Sequence, residues 1–222
     1  MQPASPTHAD APERARRSRR KEARPGELLK AALALFVEKG FAATRVEEVA
    51  ARAGVSKGTL FLYFASKEEL FKAVVRENAS RHLTEALREL EGFAGASSDL
   101  LREFLRRWWR LYGGTPAAGL TKLMLSEATH FPELARWFQD EVVQPSHALL
   151  RRIVQRGIDR GEFRAVHVPR TVHLIVAPLL QMVTWRLTLG HCCPYTHEDK
   201  PMALIELHAD LITRGLQIHP NP

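Results

Sequence analysis

A chain of 222 residues, 45% hydrophobic and 26% charged, is long enough for one large domain or for a small domain joined to a medium one. Its formal net charge of +7 permits an anionic partner, nucleic acid or an anionic surface, without choosing between them. The two cysteines are adjacent, Cys192 and Cys193, and the N-terminal segment lacks an apolar core, so neither a disulfide framework nor a secretory signal is expected and the compartment is read as cytoplasmic.

Almost no segment alternates apolar and polar residues, so the expected fold class is all-α, with about nine helices. Residues 1–24 carry seven basic side chains against three acids and too few apolar ones to offset the entropy of ordering, which predicts a disordered basic arm. Such an arm is either a solvated tail or a strap across a minor groove. A first helix carries Leu29, Ala32, Leu33 and Phe36 on one side and stops at Gly40. Thr44 and Glu47 read as a capping box opening a second helix. Ser56 caps a short third helix and Ser66, with Glu69, opens a fourth, whose apolar stripe continues through Leu83, Leu87 and Leu90. A fifth helix holds Leu101, Phe104, Leu105, Trp108 and Tyr112, a sixth starts at Thr115 and Pro116, and a seventh runs from Pro132 to about Arg160 with a kink or break at Pro145. The eighth spans about 170–189 and the ninth about 201–216. Residues 172–189 are dense in apolar side chains, but His173, Pro178, Gln181 and Arg186 interrupt them, so a buried helix is expected and no membrane partner.

The stretch "AGVSKGTLFLYF", residues 53–64, has the makings of a helix-turn-helix. Gly54 suits a positive φ in the turn, Val55 plugs the small core, Ser56 caps the second helix, and Leu60 and Phe64 anchor it inward. The outward side holds Lys57, Gly58, Thr59, Phe61 and Tyr63. In a major groove Lys57 can donate to guanine, Gly58 permits close approach and Phe61 can touch a thymine methyl. Thr59, Tyr63 and Lys67 suit the phosphate backbone, and Thr44 and Arg45 at the start of the second helix complete the candidate DNA-binding set.

Residues 44–70, "TRVEEVAARAGVSKGTLFLYFASKEEL", resemble the DNA-binding signature of the tetracycline-repressor (TetR) family of bacterial transcription regulators. Phe61 departs from the family pattern, which most often has Tyr there, and Leu62 replaces a usually polar or aromatic residue. The resemblance implies an N-terminal three-helix DNA-binding domain, here residues 25–75, and a larger helical ligand-binding and dimerisation domain, here 76–222. It also implies a homodimer on palindromic double-stranded operator DNA, most often a repressor, released by a small-molecule effector.

One short recognition helix reads few base pairs, so two copies are needed about 34–36 Å apart. The eighth and ninth helices are the expected interface, since Leu174, Leu180, Leu187, Leu204, Leu211 and Ile212 exceed what one domain covers. The effector cavity is expected among the fifth to eighth helices, with Phe104, Trp108, Tyr112, Met124, Trp137, Phe138, Met182 and Trp185 as apolar lining and His130, His173 and Gln181 as polar handles. That lining suits a lipophilic or aromatic ligand, and no cofactor is expected. The loop holding His191, Cys192, Cys193 and His197 invites a metal- or redox-responsive alternative, but adjacent cysteines seldom both reach one tetrahedral ion, so no metal site is assigned. No nucleophile elbow, phosphate loop or zinc-protease motif is present, which argues against a helical enzyme.

Overall fold

A computed structural model describes residues 11–193 and 200–218, and within them the chain forms nine helices and no sheet. Helix α1 is Ala11–Ala43, α2 Val46–Arg52 and α3 Lys57–Phe61. Helix α4 comprises Lys67–Val75, a π turn at Arg76–Ser80 and Arg81–Gly92. Helix α5 is Ser97–Trp108 with a π turn at Trp109–Gly113, and α6 is Gly119–Glu127 led in by a 3-10 turn at Pro116–Ala118. Helix α7 joins Pro132–Phe138, a π turn at Gln139–Val143 and Gln144–Asp159, while α8 is Val168–Leu187 and α9 is Pro201–Leu216.

Helical backbone starts at Ala11, inside the segment expected to be a disordered arm. The residues there, "APERARRSRRKEAR", are mostly good helix formers, and propensity extends α1 through them. Residues 1–10 of the expected arm lie outside the described residues. At the far end α1 bends at Gly40, whose φ of 86° belongs to the left-handed region glycine tolerates.

The second helix is capped differently from the expectation. Its N-cap is Arg45, whose N–H is 3.4 Å from the Glu48 carboxylate. Thr44 is buried, and its hydroxyl donates to the carbonyls of Gly40, at 2.7 Å, and Leu35, at 3.2 Å. The other two caps follow the sequence. Ser56 Oγ accepts from the Thr59 N–H and Ser66 Oγ from the Glu69 N–H, each at 3.1 Å.

Pro145 neither breaks nor splits α7. A π turn ends two residues before it, and the extra residue of that turn absorbs the missing N–H and the bulk of the ring. The N-terminal core is an aromatic cluster of Phe36, Phe41 and Phe71, with centroids 5.4–5.7 Å apart. The second core gathers Leu101, Leu105, Leu120, Ile153, Val154, Ile175 and Ile205. Two charged clamps hold its outer helices. Arg106 of α5 grips Glu206 of α9 through two hydrogen bonds of 2.6 and 2.7 Å. Arg156 of α7 donates to Ser97 Oγ and to the Phe93 and Gly95 carbonyls, fixing the entry to α5. Among the described residues no helix is long and apolar enough to cross a membrane.

Gly157 faces the buried ring of Phe163, and a Cβ there would come within 2.1 Å of it. Gly157→Ala should therefore destabilise the protein by about 1–3 kcal/mol, measured by chemical denaturation, since overpacking forces the ring or α7 to shift.

Candidate DNA-binding surface and ligand cavity

Helix α3 is held by its inward residue, Leu60, which is fully buried, and leaves the side chains singled out in the sequence on its outer face. Lys57 is half exposed and forms an ion pair with Glu47 of α2 at 2.6 Å, while lying 5.8 Å from the centre of the Phe61 ring. The hydrogen bond from Lys57 holds the Glu47 carboxyl below its usual range. Lys57 is thus parked on an exposed counterion that phosphate or a guanine edge can replace at modest cost. Thr59 Oγ1 lies 2.9 Å from Ser56 Oγ, so the cap also orients that hydroxyl. Phe61 is exposed, Leu62 more so, and Tyr63 is half-buried against the core. Arg45 is exposed at the start of α2.

Gly58 is informative because the fold does not require it. A Cβ there would meet only Ser56 Oγ, at an ordinary 3.8 Å, and its backbone is helical. A glycine inside a helix costs about 0.5–1 kcal/mol relative to alanine, so its place on the outward face fits close approach by something outside the chain.

Two of the candidate contacts have other roles. Thr44 is buried and committed to α1, so it cannot reach DNA. Lys67 Nζ donates to the carbonyls of Phe41, Ala42 and Thr44, at 2.9, 3.2 and 3.1 Å, and sits 4.6 Å from the centre of the Phe41 ring. All three ammonium protons are engaged, which removes Lys67 from the candidate phosphate contacts and makes it the pin of the α1–α2 turn. The same turn is gripped from the opposite side. The Glu127 carboxylate, on the last residue of α6, accepts from the N–H groups of Phe41, at 2.8 Å, and Ala42, at 3.2 Å. A Cβ on Gly40 would lie 2.4 Å from Glu127 Oε1. Phe131 packs edge-on against Phe41 with centroids 5.0 Å apart, and Gly119 lets α6 approach Val37 of α1 more closely than any side chain would.

Helix α6 also walls a cavity of about 540 Å³ between α5, α7 and α8. Of the expected lining, Phe104, Trp108, Tyr112, Met124, Phe138 and His173 face it. Five do not. His130 is exposed in the turn after α6, and Gln181 is on the outer face of α8. Trp137 lies beneath the Arg76 guanidinium of α4, 5.3 Å from its centroid. Met182 is in the core, and the Trp185 indole donates to the Cys193 carbonyl at 3.0 Å. The cavity adds Thr121, His147 and Val176, which periodicity did not single out, and Leu180, which was expected at the dimer interface. The Tyr112 hydroxyl, buried, pairs with Thr121 Oγ1 at 2.7 Å, and burial pushes its pKa up to about 12. His147 of α7 and His173 of α8 meet edge to face, with centroids 5.4 Å apart. Burial first, then the charges of His173 and Arg151, hold His147 below the ordinary histidine range. Cys192 and Cys193 are exposed; residues 194–199, His197 among them, lie outside the described residues. No cluster of three or more metal-ligating side chains occurs among the described residues.

A helix-turn-helix with its outer face free, tied to a helical domain built around a cavity, defines a DNA-binding regulator with a ligand-binding half. Residues 28–74 match the family described as "Bacterial regulatory proteins, tetR family", and residues 94–190 match "Tetracyclin repressor-like, C-terminal domain". The chain belongs to the TetR family of transcription regulators, which act as ligand-responsive, DNA-binding homodimers. It is 29% identical to the HTH-type transcriptional regulator YfiR of Bacillus subtilis over 157 residues, 68% of this chain and 74% of that one. It is 40% identical to the regulator RutR of Escherichia coli over 91 residues, 41% of this chain and 42% of RutR. The structure of FadR from Bacillus subtilis in complex with stearoyl-CoA shares the fold, with a TM-score of 0.67 at 21% identity, covering 87% of this chain and 98% of FadR.

Gly58→Ala should raise the stability of the free protein by about 0.5–1 kcal/mol in thermal or chemical denaturation while weakening operator binding in a fluorescence-anisotropy titration. Unchanged affinity would show that nothing approaches α3 closely at this residue.

Proposed function

We propose that two copies of the chain set their α3 helices into successive major grooves of an inverted-repeat operator, and that a lipophilic effector in the cavity releases them, most simply as a repressor does. Lys57, Gly58 and Phe61 meet base edges, and Ser56, Thr59, Tyr63 and Arg45 steady the phosphates. Helices α8 and α9 form the interface across the two-fold axis. The exposure of Leu174 at 67%, Leu207 at 55% and Leu211 at 61% supports this reading, since so much unpartnered aliphatic surface on adjacent helices is unusual for a monomer. The setting is then the cytoplasm, where the DNA is.

The observation that carries the regulatory half is the double duty of α6. Thr121, Met124 and Leu125 line the cavity, and Glu127 at its end holds the Phe41 and Ala42 amides of the DNA-binding half. A ligand that shifts α6 therefore moves the end of α1 directly, alongside the long α4, and changes the separation of the two recognition helices. An apolar cavity favours an aliphatic or aromatic effector. The stearoyl-CoA bound in the FadR structure supports the aliphatic choice.

Lys57→Ala with Thr59→Ala should cost roughly tenfold or more in affinity for the best inverted repeat and a smaller factor on random DNA, where a phosphate contact and a charge are lost but no base readout. Equal binding to both sequences by the parent would instead favour a sequence-tolerant architectural protein. Glu127→Gln, tested against a panel of aliphatic acids, alcohols and acyl thioesters, should keep cavity affinity by calorimetry but raise roughly tenfold the concentration of any active compound needed to release operator DNA. Release at the parent's concentration would remove α6 from the route.

A further inference from the structure

The cations of the C-terminal half are mostly spoken for. Arg102, Arg106, Arg107, Arg110, Arg136, Arg152, Arg160 and Arg214 form ion pairs, and Arg156, Arg164 and Arg186 donate to backbone carbonyls. Arg88 of α4 and Lys122 of α6 differ, as do Arg151 of α7 and Arg170 of α8, which lie on the two helices that carry His147 and His173. Among the described residues none of the four has a hydrogen bond or an ion pair, although Arg151 is only half exposed.

The positions of Arg151 and Arg170 are related. Arg151 follows His147 by four residues and Arg170 precedes His173 by three, so each shares a helix face with its histidine. Helices α7 and α8 are consecutive and joined by residues 160–167, and the two histidines touch. Stepping from that contact toward the connecting loop brings positions 151 and 170 to the same level, one turn beyond the two histidines. No carboxylate faces them from their own helices. The sequence has none between Glu141 and Asp159, nor between Glu162 and Glu198. On neighbouring helices, Glu206 and Asp210 are bound to Arg106 and Arg102, and Glu127 holds the α1 turn.

We infer that Arg151, Arg170, His147 and His173 form a receiving site for an anionic head group, a carboxylate or a phosphate, on an effector whose apolar body fills the cavity. The inference rests on the cavity being the effector site, as proposed above. Two unpaired guanidiniums on the helices that wall an apolar cavity, beside two histidines of its lining, fit a charged end better than a wholly apolar ligand. Arginine matches the fork of carboxylate and phosphate oxygens, and the imidazoles can donate a further hydrogen bond each. Charged hydrogen bonds at a partly buried site separate an acid from its uncharged analogue by roughly ten- to hundredfold in affinity.

The test is calorimetry on the full chain with decanoate, decyl phosphate and 1-decanol, comparing the parent with Arg151→Gln/Arg170→Gln. The two charged ligands distinguish a carboxylate from phosphate as the group received. At least one should bind the parent roughly ten- to hundredfold more tightly than the alcohol. The double variant, which removes only partly or fully exposed charge, should lose that advantage while binding the alcohol as the parent does. If the alcohol binds the parent as tightly as both anions, or if the variant keeps the preference, the head-group site is wrong and the apolar cavity stands. If none of the three binds the parent, the aliphatic reading of the cavity fails and takes this inference with it.

Discussion

Between Gly40 and Thr44 the backbone leaves one helix and enters the next, exposing amide hydrogens on one side and carbonyl oxygens on the other. Two opposite charges meet them. Glu127 takes the amides of Phe41 and Ala42, and Lys67 takes three carbonyls. Helix ends leave such groups without partners, and a charged partner is about twice as strong as a neutral one. The consequence is architectural. Lys67 begins α4 and Glu127 ends α6, so three elements that are remote in sequence converge on one turn. The placement of α2 and α3 relative to the cavity follows from that convergence.

Charge is used differently at the two working surfaces. Through most of the C-terminal half each arginine is closed by an acid or a carbonyl, which fixes helix against helix. At α3 the cation is held only by an exposed carboxylate, and beyond the His147–His173 contact two guanidiniums have no acid. An exposed pair contributes little to stability, so Lys57 can change partners with little penalty to the fold.

Most of the fold was readable in order along the chain. Ser56 and Ser66 cap where their sequence context implies, Pro116, Pro132 and Pro201 open helices, and Gly40, Gly54 and Gly161 carry the three positive φ values among the described residues. These are local signals, and local physics decides them. What failed was tertiary. Thr44 is the better cap by residue type until the packing of α1 claims its hydroxyl and leaves Arg45 at the N-cap. Lys67 has the look of a phosphate contact until the folded chain brings three carbonyls to it. Trp137 and Phe138 are neighbours about 100° apart on one helix, so one faces the cavity and the other α4, and composition cannot say which. Glu127 sits in no motif, and its partners lie 85 and 86 residues away. His147 becomes noticeable only beside His173.

The π turns have a consequence for how the cavity exists at all. Those at Trp109–Gly113 and Gln139–Val143 contribute Tyr112, Gln139, Val142 and Val143 to its wall. A π turn holds one residue more than a regular turn, so the wall bulges where the helix is overfull. Close-packed interiors do not leave hundreds of cubic ångströms empty merely through small side chains. Here the course of the main chain adds to the room left by small lining residues such as Ala128, Ala135 and Ala177. Gaining or losing a single residue in either helix would alter the cavity's capacity in one step, a simple way for one scaffold to serve ligands of different bulk.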